Sequence, residues 1–156
     1  MKMKIKGTIV FEKNWNAIHE MAYHENGEPF MVYNEDKCEY VHQRKYKYII
    51  NEGSSRSSKT YSLIDCMDMY GRSNSEKRMS VWRDTKKDCK DTILHDALKH
   101  FRKTGRMNIG MRHNKTESII TYSTNSTFEF VGTDDEEKVH GYTGDVAWLN
   151  EPYKIS

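Results

Sequence analysis

The sequence predicts an α/β fold, a mostly parallel sheet flanked by helices, and three observations carry that expectation. Short β-branched and aromatic runs alternate with longer runs of helical period, which is the order that builds parallel strands with crossover helices. Two neighbouring runs, Ser118 to Tyr122 and Thr127 to Val131, are separated only by the polar turn STNS and read as one antiparallel hairpin. The chain of 156 residues is long enough for one domain with a buried core and short for two.

Taken in order, the first 45 residues have no clean period. MKMKIKGTIVF has basic residues but no continuing apolar stretch, so it reads as a first strand rather than a secretory signal. A turn at NGEP, Asn26 to Pro29, lies within ENGEPFMVYNEDKCEY, which reads as a hairpin insertion. Tyr46 to Ile50 (YKYII) suits a buried strand. After Lys59, Leu63, Cys66, Met67 and Tyr70 fall at i, i+3, i+4 and i+7, one stripe of a helix that Gly71 is expected to stop. Met79 to Trp82 is the next strand. A helix from about Thr85 to Lys103 follows, with Ile93, Leu94, Ala97, Leu98 and Phe101 on one face. The last strand, Asp145 to Leu149, is read as buried and ends in Asn150 and Glu151.

Composition excludes several classes. With 31% charged, 36% hydrophobic and 12% aromatic residues the chain is neither disordered nor membrane-spanning in type, and a cytosolic setting is expected. Cys38, Cys66 and Cys89 are odd in number and widely spaced, so free thiols are expected rather than a disulfide or metal set. The net charge of +2 hides a local asymmetry. From Lys77 to Lys115, twelve basic residues face four acidic ones; from Glu117 to Glu151, eight acids face Lys138 alone. A basic middle suits a polyanion partner and equally suits the solvated face of an ordinary helix.

The chemistry concentrates in Gly53, Ser54, Ser55, Arg56, Ser57, Ser58, Lys59 and Thr60, the stretch GSSRSSKT between the YKYII strand and the helix. It departs from G-x-x-x-x-G-K-[ST] only in Ser58, where a glycine is usual. In such a loop successive N–H groups face the phosphates, the lysine reaches the β and γ oxygens, and the hydroxyl binds Mg²⁺. A serine-rich surface loop ending in Lys-Thr is the competing reading. Arg56 suits charge stabilisation beside a γ-phosphate, or the role of a solvated loop arginine. Hydrolysis also needs a carboxylate to activate water, and DVAWLNEP supplies Glu151, with Asn150 able to hold a metal-bound water through its carbonyl oxygen.

Together GSSRSSKT after KYIIN, VWRDTKKDCKDTILHDALKHF, STFEFVGTDDEEKVHG and DVAWLNEP resemble the N-terminal ATPase domain of bacteriophage terminase large subunits, over roughly Lys45 to Pro152. In that family the loop commonly carries an arginine before Ser-Lys, the second glycine is often serine, and Asn often precedes the catalytic Glu. The resemblance implies a P-loop NTPase sheet over residues 46–156, incomplete at its C-terminal end, with residues 1–45 as an adenine-side cover. It implies ATP and Mg²⁺ as cofactors, Lys59 and Thr60 on phosphates and metal, Arg56 near the γ-phosphate, and Glu151 as water activator. Arg83 follows its strand as an arginine does in the family. Implied partners are double-stranded DNA, a portal protein and a terminase small subunit, in a homo-oligomeric ring docked on the procapsid in the host cytoplasm. The family's nuclease domain has no counterpart among these residues. The alternatives are a nucleotide-holding or assembly fragment of little turnover that needs a second polypeptide, and another P-loop translocase such as a helicase.

Overall fold

The structure, a computed structural model, describes residues 9–34, 38–43, 45, 59–134 and 136–151. The chain divides into two compact units, Met1–Leu63 and Ile64–Ser156. The expected strand at residues 46–50 and loop residues 51–58 lie outside the described residues.

In the first unit, helix α1 spans Ile9–His19, which corrects the expected first strand for its described part. Phe11, Trp15 and Ile18 follow helical spacing. Trp15 stacks on Phe11 and contacts the ring of His19, whose Nδ1 is 2.8 Å from the Trp15 carbonyl. The expected hairpin is present as β1 (Met31–Asn34) antiparallel to β2 (Glu39–His42). Gly27 makes its approach possible with φ +83°, a left-handed conformation open to glycine, while the Asn26 side chain accepts from Glu28 N–H. Backbone bonds from Ala22 to Gln43, from Phe30 to Ala22 and from Gln43 to Phe30 close its base.

The second unit is built on a five-stranded sheet in the order β4-β5-β6-β3-β7: Met111–Asn114, Ile119–Tyr122, Thr127–Gly132, Arg78–Arg83 and Val146–Leu149. β3 is parallel to β6 and to β7, whereas β4-β5 and β5-β6 are antiparallel. The sheet is therefore mixed rather than mostly parallel. The expected hairpin is present, but β4 extends it with a third antiparallel strand. The STNS turn closes with Tyr122 N–H on the Ser126 carbonyl and Asn125 at φ +62°.

In-register partners share a face, so Met79, Ile120 and Phe128 stand together, as do Val81 and Phe130, all essentially buried. Helices cover that face. α2 (Lys59–Ser73) contributes Ile64, Cys66, Met67 and Tyr70 to the core, and the helical stretch after β3 contributes Cys89, Ile93, Leu94, Ala97 and Phe101. This stretch is continuous but not uniform: α3 (Lys86–Cys89), a π turn (Lys90–Leu94) and α4 (His95–Lys103). Thr85 caps it, its side chain accepting from Asp88 N–H at 3.0 Å.

Gly71 does not stop α2, which runs on to Ser73. A Cβ there would meet Tyr122 at 2.5 Å and Met79 at 2.6 Å, so the glycine lets helix and sheet approach. On the opposite face Trp82 stands edge-on to Tyr142, which follows α5 (Glu136–Gly141), and the Arg78 guanidinium lies over the same tyrosine. β7 is not the buried strand expected: burial alternates along it and Leu149 is 56% exposed, because β3 is its only strand neighbour among the described residues.

Asp68, fully buried on α2, accepts from Arg72 Nε and Arg106 Nη1, both at 2.9 Å. Arg106 also reaches Asp65, which pairs with His100 of α4 at 2.9 Å. This network ties α2 to the end of α4 and the 3-10 turn Arg106–Asn108. Burial raises the Asp68 carboxyl above its ordinary value, although Arg72 and Arg106 pull it down.

Candidate active site

Parallel strands present their chemistry at their carboxyl ends, where loops replace the ladder. β3 and β7 run in register from Met79 with Val146 to Trp82 with Leu149. A backbone bond of 3.0 Å from Asn150 N–H to the Trp82 carbonyl continues this pairing beyond β7. Immediately beyond it, Arg83 Nη2 donates to Glu151 Oε2 at 2.7 Å. The guanidinium is 11% exposed and the carboxylate 38%, so the pair sits at the rim of the sheet with its cation on the inside. Arg83 Nη1 donates to Thr92 Oγ1 at 2.8 Å. Glu151 itself has φ +53°, a left-handed conformation that costs a non-glycine residue about 1 kcal/mol.

The floor beside this pair is fixed by the neighbouring strand end. Thr133 N–H donates to the Arg83 carbonyl at 2.9 Å and its hydroxyl to the Asp84 carbonyl at 3.1 Å. Asp134 Oδ1 accepts from Lys86 N–H at 3.0 Å, at the start of α3. Gly132 leaves no room for a side chain, since a Cβ would fall 2.0 Å from the Lys86 nitrogen. Beneath, burial pushes the Cys89 thiol up to about 12, against the Val131 backbone and Arg83, so it is a packed thiol and not a nucleophile. A groove of about 220 Å³ lined by Arg78, Lys86, Glu117, Ile119, Glu129, Phe130 and Val131 does not include Glu151.

Of the residues expected to bind nucleotide, Gly53, Ser54, Ser55, Arg56, Ser57 and Ser58 lie outside the described residues. Lys59 and Thr60 are the first two residues of α2, half-buried, in a first turn that holds no acid. Asn150 and Glu151 belong to the other unit. Among the described residues no three His, Cys, Asp or Glu side chains gather as a metal site. Taken singly, the Thr60 hydroxyl and the Asn150 amide oxygen are hard donors of the type Mg²⁺ takes.

The basic middle separates into two sets. Lys87, Arg102 and Lys103 are exposed, and Lys86 and Lys90 half-buried. Arg78, Arg83 and Arg106 instead pair within the fold, with Glu129, Glu151 and the Asp65–Asp68 couple. Thr92 had no signal in the sequence, because its importance comes from the π turn that carries it. Comparison with protein-family models, with characterised proteins and with solved structures gives no match for this chain.

Proposed function

We propose that the chain is the ATP-hydrolysing portion of a viral DNA-packaging motor of the terminase large-subunit type. One observation supports this most: Glu151, expected from sequence to activate water, stands at the carboxyl end of a parallel strand, held by an arginine from the strand beside it. The opening of α2 on Lys59 and Thr60 agrees with a phosphate loop leading into a helix, whose positive end attracts anions.

In this reading residues 53–60 hold the phosphates of ATP, with Lys59 on the β and γ oxygens and Arg56 beside the γ-phosphate. Thr60, with Asn150 through water, holds the Mg²⁺, which when bound neutralises phosphate charge. Glu151 accepts the proton of the attacking water. Exposed Lys87, Arg102 and Lys103 offer sequence-independent, salt-sensitive contacts to double-stranded DNA. The portal protein, the small subunit, a homo-oligomeric ring and docking on a procapsid in the host cytoplasm belong to the same proposal. The alternative reading is a nucleotide-holding or assembly fragment of little turnover that needs a second polypeptide.

Equilibrium binding of a fluorescent ATP analogue with Mg²⁺, followed by steady-state phosphate release, tests both readings. The hydrolase reading expects binding that Lys59→Ala abolishes, and phosphate release. Lys59-dependent binding without release leaves the holder. A folded chain with no Lys59-dependent binding overturns both.

A further inference from the structure

We propose that Arg83 is a positioning residue for the Glu151 carboxylate and that Thr92, presented by the π turn, sets Arg83. This role rests on the hydrolase reading above. Arg83 spends its two terminal nitrogens on different partners, Nη1 on Thr92 Oγ1 at 2.8 Å and Nη2 on Glu151 Oε2 at 2.7 Å. Two anchors fix the guanidinium plane, which one would leave free to turn about its stem.

The donor and acceptor pattern is complete along this line. The Thr92 hydroxyl donates to the Asp88 carbonyl at 2.5 Å, so its proton is committed and a lone pair faces Arg83. That bond is the back-bond a helical threonine makes to the carbonyl four residues earlier, and the helix widens around it. His95 N–H reaches back five residues to the Lys90 carbonyl, and Thr92 lies in the middle of the π turn. Such turns are uncommon and recur at functional sites. At the far end Glu151 keeps a left-handed backbone. Backbone conformation and ion pair together determine where its carboxylate stands.

A clamp that only joined helix to sheet would act on stability alone. A positioning residue acts on turnover while leaving nucleotide affinity intact, because a displaced base slows chemistry without touching phosphate binding. The test compares the full chain with Arg83→Gln, Arg83→Lys, Thr92→Val, Thr92→Ser and the Arg83→Gln/Thr92→Val double variant. Each is measured for Kd of the fluorescent ATP analogue and for kcat of phosphate release.

Arg83→Gln is expected to lower kcat about tenfold or more with Kd unchanged. Arg83→Lys recovers part of it, having the charge but not the fork. Thr92→Val lowers kcat less, Thr92→Ser restores it, and the double variant is no slower than Arg83→Gln, because Thr92 acts through Arg83. If Arg83→Gln fails to fold, the Thr92→Val and Thr92→Ser comparison decides. An unchanged kcat in Arg83→Gln, or in Thr92→Val when that variant alone is soluble, overturns the role. So does a double variant slowed by the product of the single effects. Absence of Lys59-dependent phosphate release in the natural chain overturns the hydrolase reading and this role with it; release that Arg83→Gln leaves intact overturns the role alone.

Discussion

Arg83 and Glu151 are 68 residues apart in sequence and 2.7 Å apart in the structure, because β3 and β7 are parallel neighbours that end at the same level. Glu151→Gln keeps the size of the side chain and removes its basicity. If Glu151 is the general base, kcat for phosphate release falls about a hundredfold or more while analogue binding persists. An assembly fragment would show the same binding before and after, with no turnover to lose.

Gly71 poses a different test, since two effects oppose each other. Alanine favours a helix over glycine by about 1 kcal/mol. Against this, a Cβ would sit 2.5 Å from the Tyr122 ring and 2.6 Å from the Met79 methyl, and both side chains are packed in the core. Overpacking of this kind costs about 1–3 kcal/mol, so Gly71→Ala is expected to lower the midpoint of thermal unfolding. A higher midpoint would mean that Tyr122 and Met79 yield freely.

How much of this could be read beforehand depends on whether the determining contact was local. Strand β3, the Thr85–Lys103 helical stretch and the β5-β6 hairpin were legible from period and turn chemistry. Ile93, Leu94, Ala97 and Phe101 are buried as that spacing requires, and Leu98 is half-buried at the edge of the stripe. β4 was not legible: in MRHN only Met111 is apolar, and the strand exists because Tyr122 to Ile119 pair with it. The α1 spacing was present in Phe11, Trp15 and Ile18, but MKMKIKGTIVF, which overlaps the start of the helix, read as a strand. At the site, the position of Glu151 just past its strand was legible and its pairing with Arg83 was not, since nothing near Arg83 or Thr92 in sequence points to a strand that arrives 68 residues later.

Asp68 shows the same limit within the core. A carboxylate on the buried stripe of α2 looks like a fault until Arg106 comes from 38 residues away to pair with it. Arg106→Met leaves Asp68 with Arg72 as its remaining arginine partner and removes a cation from Asp65. Breaking one side of a buried pair typically costs about 3–5 kcal/mol. For a chain of this length each 1 kcal/mol corresponds to about 2–4 °C, so the midpoint should fall by roughly 10 °C. Adding Asp68→Asn to Arg106→Met should then cost less than the two single changes together. Additive losses in denaturant melts would show that the pair is not coupled.

His113 on β4 gives the fold an acid-sensitive point. Its Nε2 is buried without a hydrogen-bond partner among the described residues, and burial first, then Lys115 and Arg102, lower its pKa below the ordinary 6.5. The sign follows from proton counting: below about pH 6.5 the unfolded chain takes a proton that the folded chain refuses, so this contribution is present above that pH and lost as pH falls toward the folded value. One proton sets a ceiling of about 1.4 kcal/mol per pH unit, and the solvent-facing part of the ring screens the two cations and reduces it. His113→Leu should therefore narrow the stability difference between pH 7 and pH 5 relative to the natural chain, measured by urea unfolding at each pH. Equal pH dependence in the two chains would assign the acid loss to other groups and leave His113 as a packing residue only.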